Sequence, residues 1–258
     1  MTRDLPAFTV KLAQTDDDLR AAQRLRYKVF VTEMGGDGPL VDHEVQLEVD
    51  TFDAHAHHLL LCDNRRSGDD QVVGVYRLMT QAAAAAVGQF YCESEYDLTP
   101  LYQSGKRLLE LGRSCLHPDY RGGMGLMQMW SGLAEFVDRE GIDLLFGVAS
   151  FPGTDIAALA GPLSLLHQRH LAPPELRVTA RGAGAIRMDQ IAPAQVDPVA
   201  AMRATPALIK GYLRLGGVVG EGAFIDKAFN TVDVCLILDT DVISAMQRNI
   251  YSRGQGLG

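Results

Sequence analysis

Residues 108–130 read Leu-Leu-Glu-Leu-Gly-Arg-Ser-Cys-Leu-His-Pro-Asp-Tyr-Arg-Gly-Gly-Met-Gly-Leu-Met-Gln-Met-Trp, and this stretch decides the fold. Its apolar first part predicts a strand over residues 108–116, which a His-Pro-Asp turn ends. A glycine-rich loop, residues 121–125, then leads into an amphipathic helix predicted over residues 125–140. Loop amides and a helix N-terminus that point at one place form an anion site. The stretch therefore predicts a loop that binds phosphate groups, preceded by a strand that carries charge.

Outside this stretch, the apolar pattern predicts a mixture of strands and helices. Further strands are predicted over residues 8–12, 58–62, 72–79, 142–149, 218–224 and 232–239, and further helices over residues 16–31, 154–171 with an interruption at Gly161-Pro162, and 207–215. Ser150-Phe151-Pro152-Gly153 is predicted to end the strand before it. Hairpins combined with only some helical crossovers predict an α/β (α+β) fold, with a mixed central sheet and helices on both faces. We interpret residues 1–258 as one domain, in which 173–205 form an insertion and 206–240 add a helix and a hairpin that complete the sheet.

The composition excludes several classes of protein. A formal net charge of -8 argues against a general nucleic-acid-binding protein, because such proteins carry a basic surface. The four cysteines form no Cys-x-x-Cys pair, which favours free thiols in a reducing compartment. The first residues lack an apolar signal segment, and no apolar run approaches the roughly 20 residues of a spanning helix. We therefore expect a cytoplasmic protein.

Motifs of other common chemistries are missing from the sequence. There is no Gly-x-Ser-x-Gly nucleophile elbow and no Walker loop with Gly-Lys-Ser/Thr. His55, His57 and His58 are close in sequence, but strand alternation places His55 and His57 on one face and His58 on the other, and no third ligand is nearby. We therefore expect no metal.

Charged residues lie among apolar ones at several positions. Arg26 is in the middle of the apolar face of the first helix, and Arg77 is inside a strand. A buried charge needs a partner, although an arginine at the edge of an apolar face also snorkels to solvent. Asp50 and Asp53, in a glycine-rich and acidic segment, are of the opposite charge. The sequence thus predicts either a salt-bridged acidic loop or a site for a small charged ligand.

Several stretches of the chain together resemble one known family. They are Arg26-Tyr27-Lys28-Val29-Phe30, Glu33-Met34-Gly35, Asp50-x-Phe52-Asp53, Val75-Tyr76-Arg77-Leu78, Phe90-Tyr91, Glu110-Leu111-Gly112-Arg113-Ser114-Cys115, Gly147 to Gly153, Lys210 to Gly216, and Phe229-Asn230-x-x-Asp233-Val234. Strand, glycine loop, helix and apolar strand resemble the core of the GNAT superfamily of N-acyltransferases. Within that superfamily, the stretches resemble the bacterial Nα-acyltransferases of amino-acid lipid synthesis, typified by ornithine lipid synthesis. More distantly, the chain is similar to acyl-homoserine lactone synthases.

The resemblance implies a GNAT-type fold, in which two central strands splay apart around the pantetheine arm of the donor. It also implies a reaction, the transfer of a 3-hydroxyacyl group from an acyl carrier protein thioester to the α-amine of an amino acid, with ornithine expected. The product would be a lyso-aminolipid, which leaves peripheral contact with the inner membrane open. The donor and the amino acid are then the partners, and no separate cofactor is needed.

The residues that match the family motifs are the candidate site residues. Glu110 is the candidate general base, because a carboxylate with a raised pKa can take the proton of an attacking amine. A bulge at Gly112 would bring Arg113 beside it and free an amide for the oxyanion. The candidates for binding the amino acid are Arg26, Phe30, Asp50, Asp53, Arg77 and Ser114, with arginine suited to a carboxylate and aspartate to amines. The candidates for binding the acyl donor are Cys115, Leu116, Arg121, Gly122, Gly123 and Gly125.

Four alternatives stay open. Glu110 and Arg113 could be a buried structural pair, and Arg26 and Arg77 could orient the acidic loop by salt bridges. Cys115 could be a nucleophile that forms an acyl-enzyme, although a buried thiol is favoured. The chain could also be an acyl-homoserine lactone synthase or a non-catalytic acyl-binding module.

The sequence of the glycine loop bears on whether the acyl donor is acyl-CoA or acyl carrier protein. The usual pattern is (Arg/Gln)-x-x-Gly-x-(Gly/Ala), and counting from Arg121 the fourth and sixth residues are Met124 and Leu126. This departure favours acyl carrier protein over acyl-CoA. Because acyl carrier protein is acidic, we expect a local basic patch of Arg121 with Lys210 and Arg214.

Overall fold

A computed structural model of the protein describes residues 7–122 and 124–242. The strands are β1 (Phe8–Leu12), β2 (His57–Asp63), β3 (Val72–Thr80), β4 (Tyr96–Asp97), β5 (Leu108–Leu116), β6 (Leu144–Pro152), β7 (Thr179–Ala180), β8 (Ala185–Ile186), β9 (Val218–Val219), β10 (Ala223–Asp226) and β11 (Thr231–Asp239). The α-helices are α1 (Asp16–Arg26), α2 (Gln81–Val87), α3 (Thr99–Gln103), α4 (Met124–Glu140), α5 (Ile156–His170), α6 (Pro198–Ala204) and α7 (Ala207–Arg214). They form two compact units, and the chain passes between the units within β5, after Glu110.

The first unit contains the described residues of 7–87 and 111–141. Its strands are ordered β1-β2-β3-β5, with β1-β2 and β2-β3 antiparallel. The buried face of α4 includes Met129, Leu133 and Phe136, as the helical periodicity predicts. A Cβ at Gly132 would lie only 2.4 Å from Val10 Cγ1, so glycine lets α4 approach β1 closely.

The first helix changes from α to π geometry before the chain enters the acidic segment, residues 34–56. Thr15 caps α1, because its Oγ1 accepts a hydrogen bond of 3.1 Å from the Asp18 amide. The predicted helix over residues 16–31 is α-helical only to Arg26 and continues as a π-helix over Tyr27–Glu33. Wider turns of this kind are frequent at functional sites. Arg26 thus stands at the point where the geometry changes.

The second unit contains residues 88–110 and 142–242 of the described chain. Its strands are ordered β5-β6-β11-β10-β8, and β9 also pairs with β11. The β5-β6 ladder is parallel and joins Leu108–Glu110 to residues 144–146. The β6-β11 ladder is antiparallel, and so is the β10-β11 hairpin. Parallel and antiparallel pairs in one unit agree with the predicted mixed sheet.

Three local predictions were wrong. The Ser150-Phe151-Pro152 stretch does not end β6, because β11 pairs with it through Pro152, the strand's last residue, where a missing amide is tolerated. The helix α5 is not interrupted at Pro162, since the buried residues that follow it anchor the helix by packing. Within residues 173–205, β8 pairs with β10 in the sheet, and the interpretation of this segment as an insertion stays a prediction. The predicted strand over residues 218–224 is divided into β9 and the start of β10.

Two further findings concern the cysteines and membrane spanning. All four cysteines are buried and free. Among the described helices, none combines the length and the apolar character that a bilayer crossing requires.

Candidate functional site

A ring of six charged side chains lies in the first unit. We call it the ionic ring, and it consists of Arg26, Glu48, Asp50, Asp53, Arg77 and Arg113. The arginines lie on α1, β3 and β5, and the three carboxylates lie in the segment between the π-helix and β2. Four of the predicted binding residues and the predicted catalytic Arg113 therefore meet in one place.

Each member of the ionic ring contacts two members of opposite charge. Glu48 binds Arg26, and its Oε1 also accepts a hydrogen bond of 3.1 Å from Arg113 Nε. Arg113 Nη2 reaches Asp50 Oδ2 at 2.9 Å, and Asp50 also binds Arg77.

Asp53 closes the ring. Its Oδ1 lies 2.6 Å from Arg26 Nη1 and 3.8 Å from Arg77 Nη1. Three positive and three negative charges thus alternate without a gap and sum to zero.

Neighbouring groups fix the ionic ring from outside. Gln23 donates to Asp53 Oδ2 at 2.9 Å, and His58 Nε2 donates to the Asp53 carbonyl oxygen at 3.0 Å. The Arg77 guanidinium lies 5.2 Å from the centre of the Phe52 ring, a cation–π distance. A Cβ at Gly112 would lie 3.3 Å from Arg77 Nη2, so this glycine leaves room for the guanidinium.

The electrostatics of the ring follow from burial and pairing. Burial alone would raise the pKa of Asp50, but Arg77 and Arg113 outweigh it and hold that pKa well below its usual range. Burial lowers the pKa of His58, so the imidazole beside Asp53 is neutral at pH 7. Arg26 is 0% exposed, whereas Arg113 is 10% and Asp50 15% exposed. Arg113 and Asp50 are thus the members through which solvent reaches the ring.

These contacts correspond to the alternative in which arginines orient the acidic loop by salt bridges. The role of Arg26, Asp50, Asp53 and Arg77 in binding an amino acid stays a prediction. Glu48 was not among the predicted site residues. Its position two residues before Asp50, in the same acidic run, is the signal that could have included it.

Glu110 lies in the second unit and is 2% exposed. Its Oε1 accepts a hydrogen bond of 2.6 Å from the Cys92 amide, and its Oε2 accepts one of 2.9 Å from the Tyr91 amide. These two amide donors fix the orientation of the carboxylate. Arg113, one residue after Gly112 on β5, has a left-handed φ of 49°, and the bulge at Gly112 stays a prediction.

The predicted donor loop follows β5. Arg121 binds Glu33 with both terminal nitrogens, at 2.5 and 2.7 Å, and its Nε reaches the Leu116 carbonyl oxygen at 3.2 Å. The charge that Arg121 was expected to offer to a donor is therefore balanced by Glu33. Gly122 has a φ of 72°, which favours glycine, and the predicted Gly123 lies outside the described residues.

The remaining candidates pack in or near the core of the first unit. Phe30 packs against a buried cluster that includes Cys115, and Ser114 and Leu116 are partly buried. Gly125 is buried at the start of α4, where a Cβ would lie 3.1 Å from the Tyr120 carbonyl oxygen. Burial raises the pKa of the Cys115 thiol to about 12. A thiol with that pKa is not ionised at pH 7, which argues against the acyl-enzyme alternative.

Three carboxylates in the second unit form another group that the sequence did not predict. We call Glu95, Asp226 and Asp233 the acidic trio, and one oxygen from each lies within 4.8 Å of the others. Asp226 and Asp233 lie on the two strands of one hairpin, and alternation along those strands could have placed them on one face. The sequence gives no comparable signal for Glu95.

Comparisons with known proteins complete the description. Residues 25–131 match the family model of the acetyltransferase (GNAT) domain. An L-ornithine N(alpha)-acyltransferase of Rhodobacter capsulatus is 53% identical over 249 residues, which cover 96% of this chain and 95% of that protein. A protein of the same name from Rhizobium meliloti is 39% identical over 250 residues, or 95% of this chain and 84% of that protein.

A solved structure shares the fold. A CoA-dependent acyl-homoserine lactone synthase, solved with MTA, matches with a TM-score of 0.54 at 16% identity, and the match covers 96% of this chain and 90% of that one. Together with the GNAT family match, this likeness confirms the predicted fold class.

Proposed function

The chain belongs to the L-ornithine N(alpha)-acyltransferase family and is an N-acyltransferase, and from that premise we propose that it acylates the α-amine of ornithine. The acyl group is a 3-hydroxyacyl chain carried as a thioester on acyl carrier protein, and the product is a lyso-aminolipid. The observation that carries the acceptor assignment is the 53% identity to a relative of that name, along 96% of the chain. The donor assignment is supported by the glycine loop, which departs from the acyl-CoA pattern at Met124 and Leu126.

The proposed reaction is a direct attack of the amine on the thioester. An ammonium group cannot attack, so a base must first take its proton. Glu110 is the proposed base, acting directly or through a water molecule. Amide hydrogen bonds from Tyr91 and Cys92 hold its carboxylate in a fixed orientation.

The bonds balance without a further reactant. The amine nitrogen forms the new C–N bond, the C–S bond breaks, and the sulfur leaves as the thiolate of the carrier. That thiolate takes up a proton, so the products are an amide and a free thiol. Direct transfer agrees with the high pKa of Cys115, which leaves no thiolate nucleophile at that position.

The ionic ring has a supporting role in this proposal. It fixes the acidic segment to α1, β3 and β5 through buried ion pairs, and Arg113 and Asp50 form its accessible edge. A guanidinium is suited to the α-carboxylate of an amino acid, which would share Arg113 with its present partners. Arg121 is paired with Glu33, and the basic patch of Arg121 with Lys210 and Arg214 stays a prediction.

The direct test is a product analysis. The purified protein is incubated with a 3-hydroxyacyl carrier protein, or with the matching 3-hydroxyacyl-CoA, together with ornithine and the standard amino acids. We expect mass spectrometry to detect the Nα-amide of ornithine, formed faster from the carrier protein. An amide of another amino acid would refute the acceptor, a faster reaction with the CoA ester would refute the donor, and no amide at all would support a non-catalytic binding module.

The base is tested by substitution. Glu110→Gln keeps the shape of the side chain and removes its basicity, and we expect kcat to fall by roughly 10²–10⁴-fold. The control is Glu135→Gln, on the exposed side of α4, which should keep the wild-type kcat. Full turnover of a folded Glu110→Gln variant would exclude Glu110 as the base.

A further inference from the structure

One short turn of the chain orients Glu110. The amides of Tyr91 and Cys92 donate to its two carboxylate oxygens, and both residues belong to the 3₁₀ turn Tyr91–Ser94. The turn and Glu110 lie in the same compact unit. A 3₁₀ turn has poorer hydrogen-bond geometry than an α-helix, so contacts from outside contribute to its shape. A group that fixes this turn therefore also fixes the carboxylate.

The side chain of Glu93 is the first group that fixes the turn. Its Oε2 accepts hydrogen bonds of 2.7 Å from the Phe90 amide and 2.9 Å from the Tyr102 hydroxyl. The Phe90 contact closes the start of the turn, and the Tyr102 contact joins the turn to α3. These contacts are local in sequence and hold one side of the turn.

Arg181, from a distant part of the chain, is the second group. It follows β7, within residues 173–205, and its Nε donates to the Glu93 carbonyl oxygen at 3.0 Å. Its Nη2 donates to the same oxygen. The backbone amide of Arg181 donates to the Glu95 carbonyl oxygen at 2.7 Å, directly after the turn. A guanidinium holds its donors in fixed directions, so two of them on one oxygen keep that carbonyl in place.

Strand pairing brings Arg181 to the turn. The strand β4 begins two residues after the turn and pairs antiparallel with β7, and Tyr96 lies opposite Ala180. In an antiparallel ladder the chain that leaves one strand runs beside the chain that enters the other. Arg181 therefore lies beside Glu95, and its side chain reaches the turn.

We propose that Arg181 is a positioning residue for the base, because it holds the turn whose two amides orient Glu110 toward the attacking amine. This rests on the proposed function and gives the segment 173–205 a part in the reaction. The path is short, since it runs from the guanidinium through the Glu93 carbonyl and the turn to the amides of Tyr91 and Cys92.

Substitution of Arg181 is the first test. In Arg181→Ala we expect kcat with ornithine to fall by on the order of 10-fold, less than the roughly 100-fold that a misplacement of about 1 Å can cost, because Glu93 and Tyr102 still hold the other side of the turn. KM for ornithine should stay within about two-fold, since the contact holds the base and not the acceptor. Arg181→Lys keeps a donor for the Glu93 carbonyl and should recover part of the lost kcat.

The matched control for this test is Arg177→Ala. Arg177 lies in the same segment, and its Nε donates to a backbone carbonyl oxygen, that of Ala172, at 2.8 Å. We expect this variant to keep the wild-type kcat. A wild-type kcat in folded Arg181→Ala, or an equal loss in the control, would overturn the proposal.

A double variant separates positioning of Glu110 from a general structural effect. In Glu110→Gln the base is already absent, so adding Arg181→Ala should lower kcat by less than about two-fold more. A general structural effect would instead multiply the two losses, and this result would overturn the proposal for Arg181 alone. Failure of the proposed base gives a different result, which is wild-type turnover in the single Glu110→Gln variant.

Discussion

Replacing Glu48 by Gln tests whether the ionic ring acts as one charge-balanced unit. Glu48 neutralises Arg26, which is fully buried, and Arg113, which is nearly so. The variant keeps the shape of the side chain but leaves the ring with three positive and two negative charges. Removal of one partner from a buried ion pair costs about 3–5 kcal/mol. We expect about 3 kcal/mol, near the lower limit, because Arg26 keeps its contact with Asp53.

Urea unfolding at pH 7 measures this cost. A loss of about 3 kcal/mol corresponds to a Tm lower by roughly 6–12 °C for a chain of this size. The control is Asp69→Asn, which removes an exposed pair with Arg24 whose side chains are 48% and 50% exposed. Exposed pairs of this kind contribute about 0–1 kcal/mol. A Glu48→Gln variant as stable as the control would refute the ring as a buried charge network.

A double-mutant cycle separates the ring from simple loss of contacts. Glu48→Gln with Arg113→Gln restores equal numbers of positive and negative charges. We therefore expect the double variant to be more stable than the sum of the two single losses predicts, by at least about 1 kcal/mol. Strictly additive losses would mean that the charges do not compensate one another.

Two further predictions follow from the pKa shifts. Because burial raises the pKa of Cys115 to about 12, the wild-type protein should carry no acyl adduct at Cys115 during turnover. Iodoacetamide at pH 8 should label Cys115 only after the protein is unfolded. Detection of an acyl-Cys115 peptide by mass spectrometry would contradict this prediction. Between pH 7 and pH 5 the free energy of unfolding should fall by up to about 1.4 kcal/mol per pH unit through His58, because its folded-state pKa lies below 6.5 and the unfolded chain therefore takes up the proton first. Folded His58→Gln should lose that part of the slope, and a slope identical to wild type would show that His58 does not cause it.

The sequence predicted those elements whose pattern is local. The strand β5 and the helix α4 were predicted to within a residue, since alternation and helical periodicity are properties of short windows. The predictions at Pro152 and Pro162 were wrong because contacts distant in sequence decided the structure there. Proline is a strong local signal, but strand pairing with β11 and buried packing along α5 outweighed it, and neither is visible in a short window.

The sequence predicted most of the charged residues of the ionic ring, but it did not predict which of them contact one another. Arg26 and Arg77 were recognised because a charge among apolar residues needs a partner, and the acidic segment was recognised by composition. Which carboxylate contacts which arginine depends on how that segment returns over α1 and β3. The grouping of Glu95 with Asp226 and Asp233 could not be predicted from the sequence, because these residues are more than 100 positions away from Glu95.

The charge balance of the ionic ring limits what it can do for an acceptor. In the ionic ring every arginine already has two carboxylates, so the ring as a whole offers a ligand no net charge. An amino acid that bound there would have to exchange with an internal partner, and its zwitterionic backbone could do so without a change in total charge. All amino acids share that backbone, so the ring can orient an acceptor but cannot distinguish a diamino acid from a neutral one. Substitutions in the ring should therefore reduce turnover of ornithine and of 2-aminopentanoate, which lacks only the side-chain amine, by similar factors.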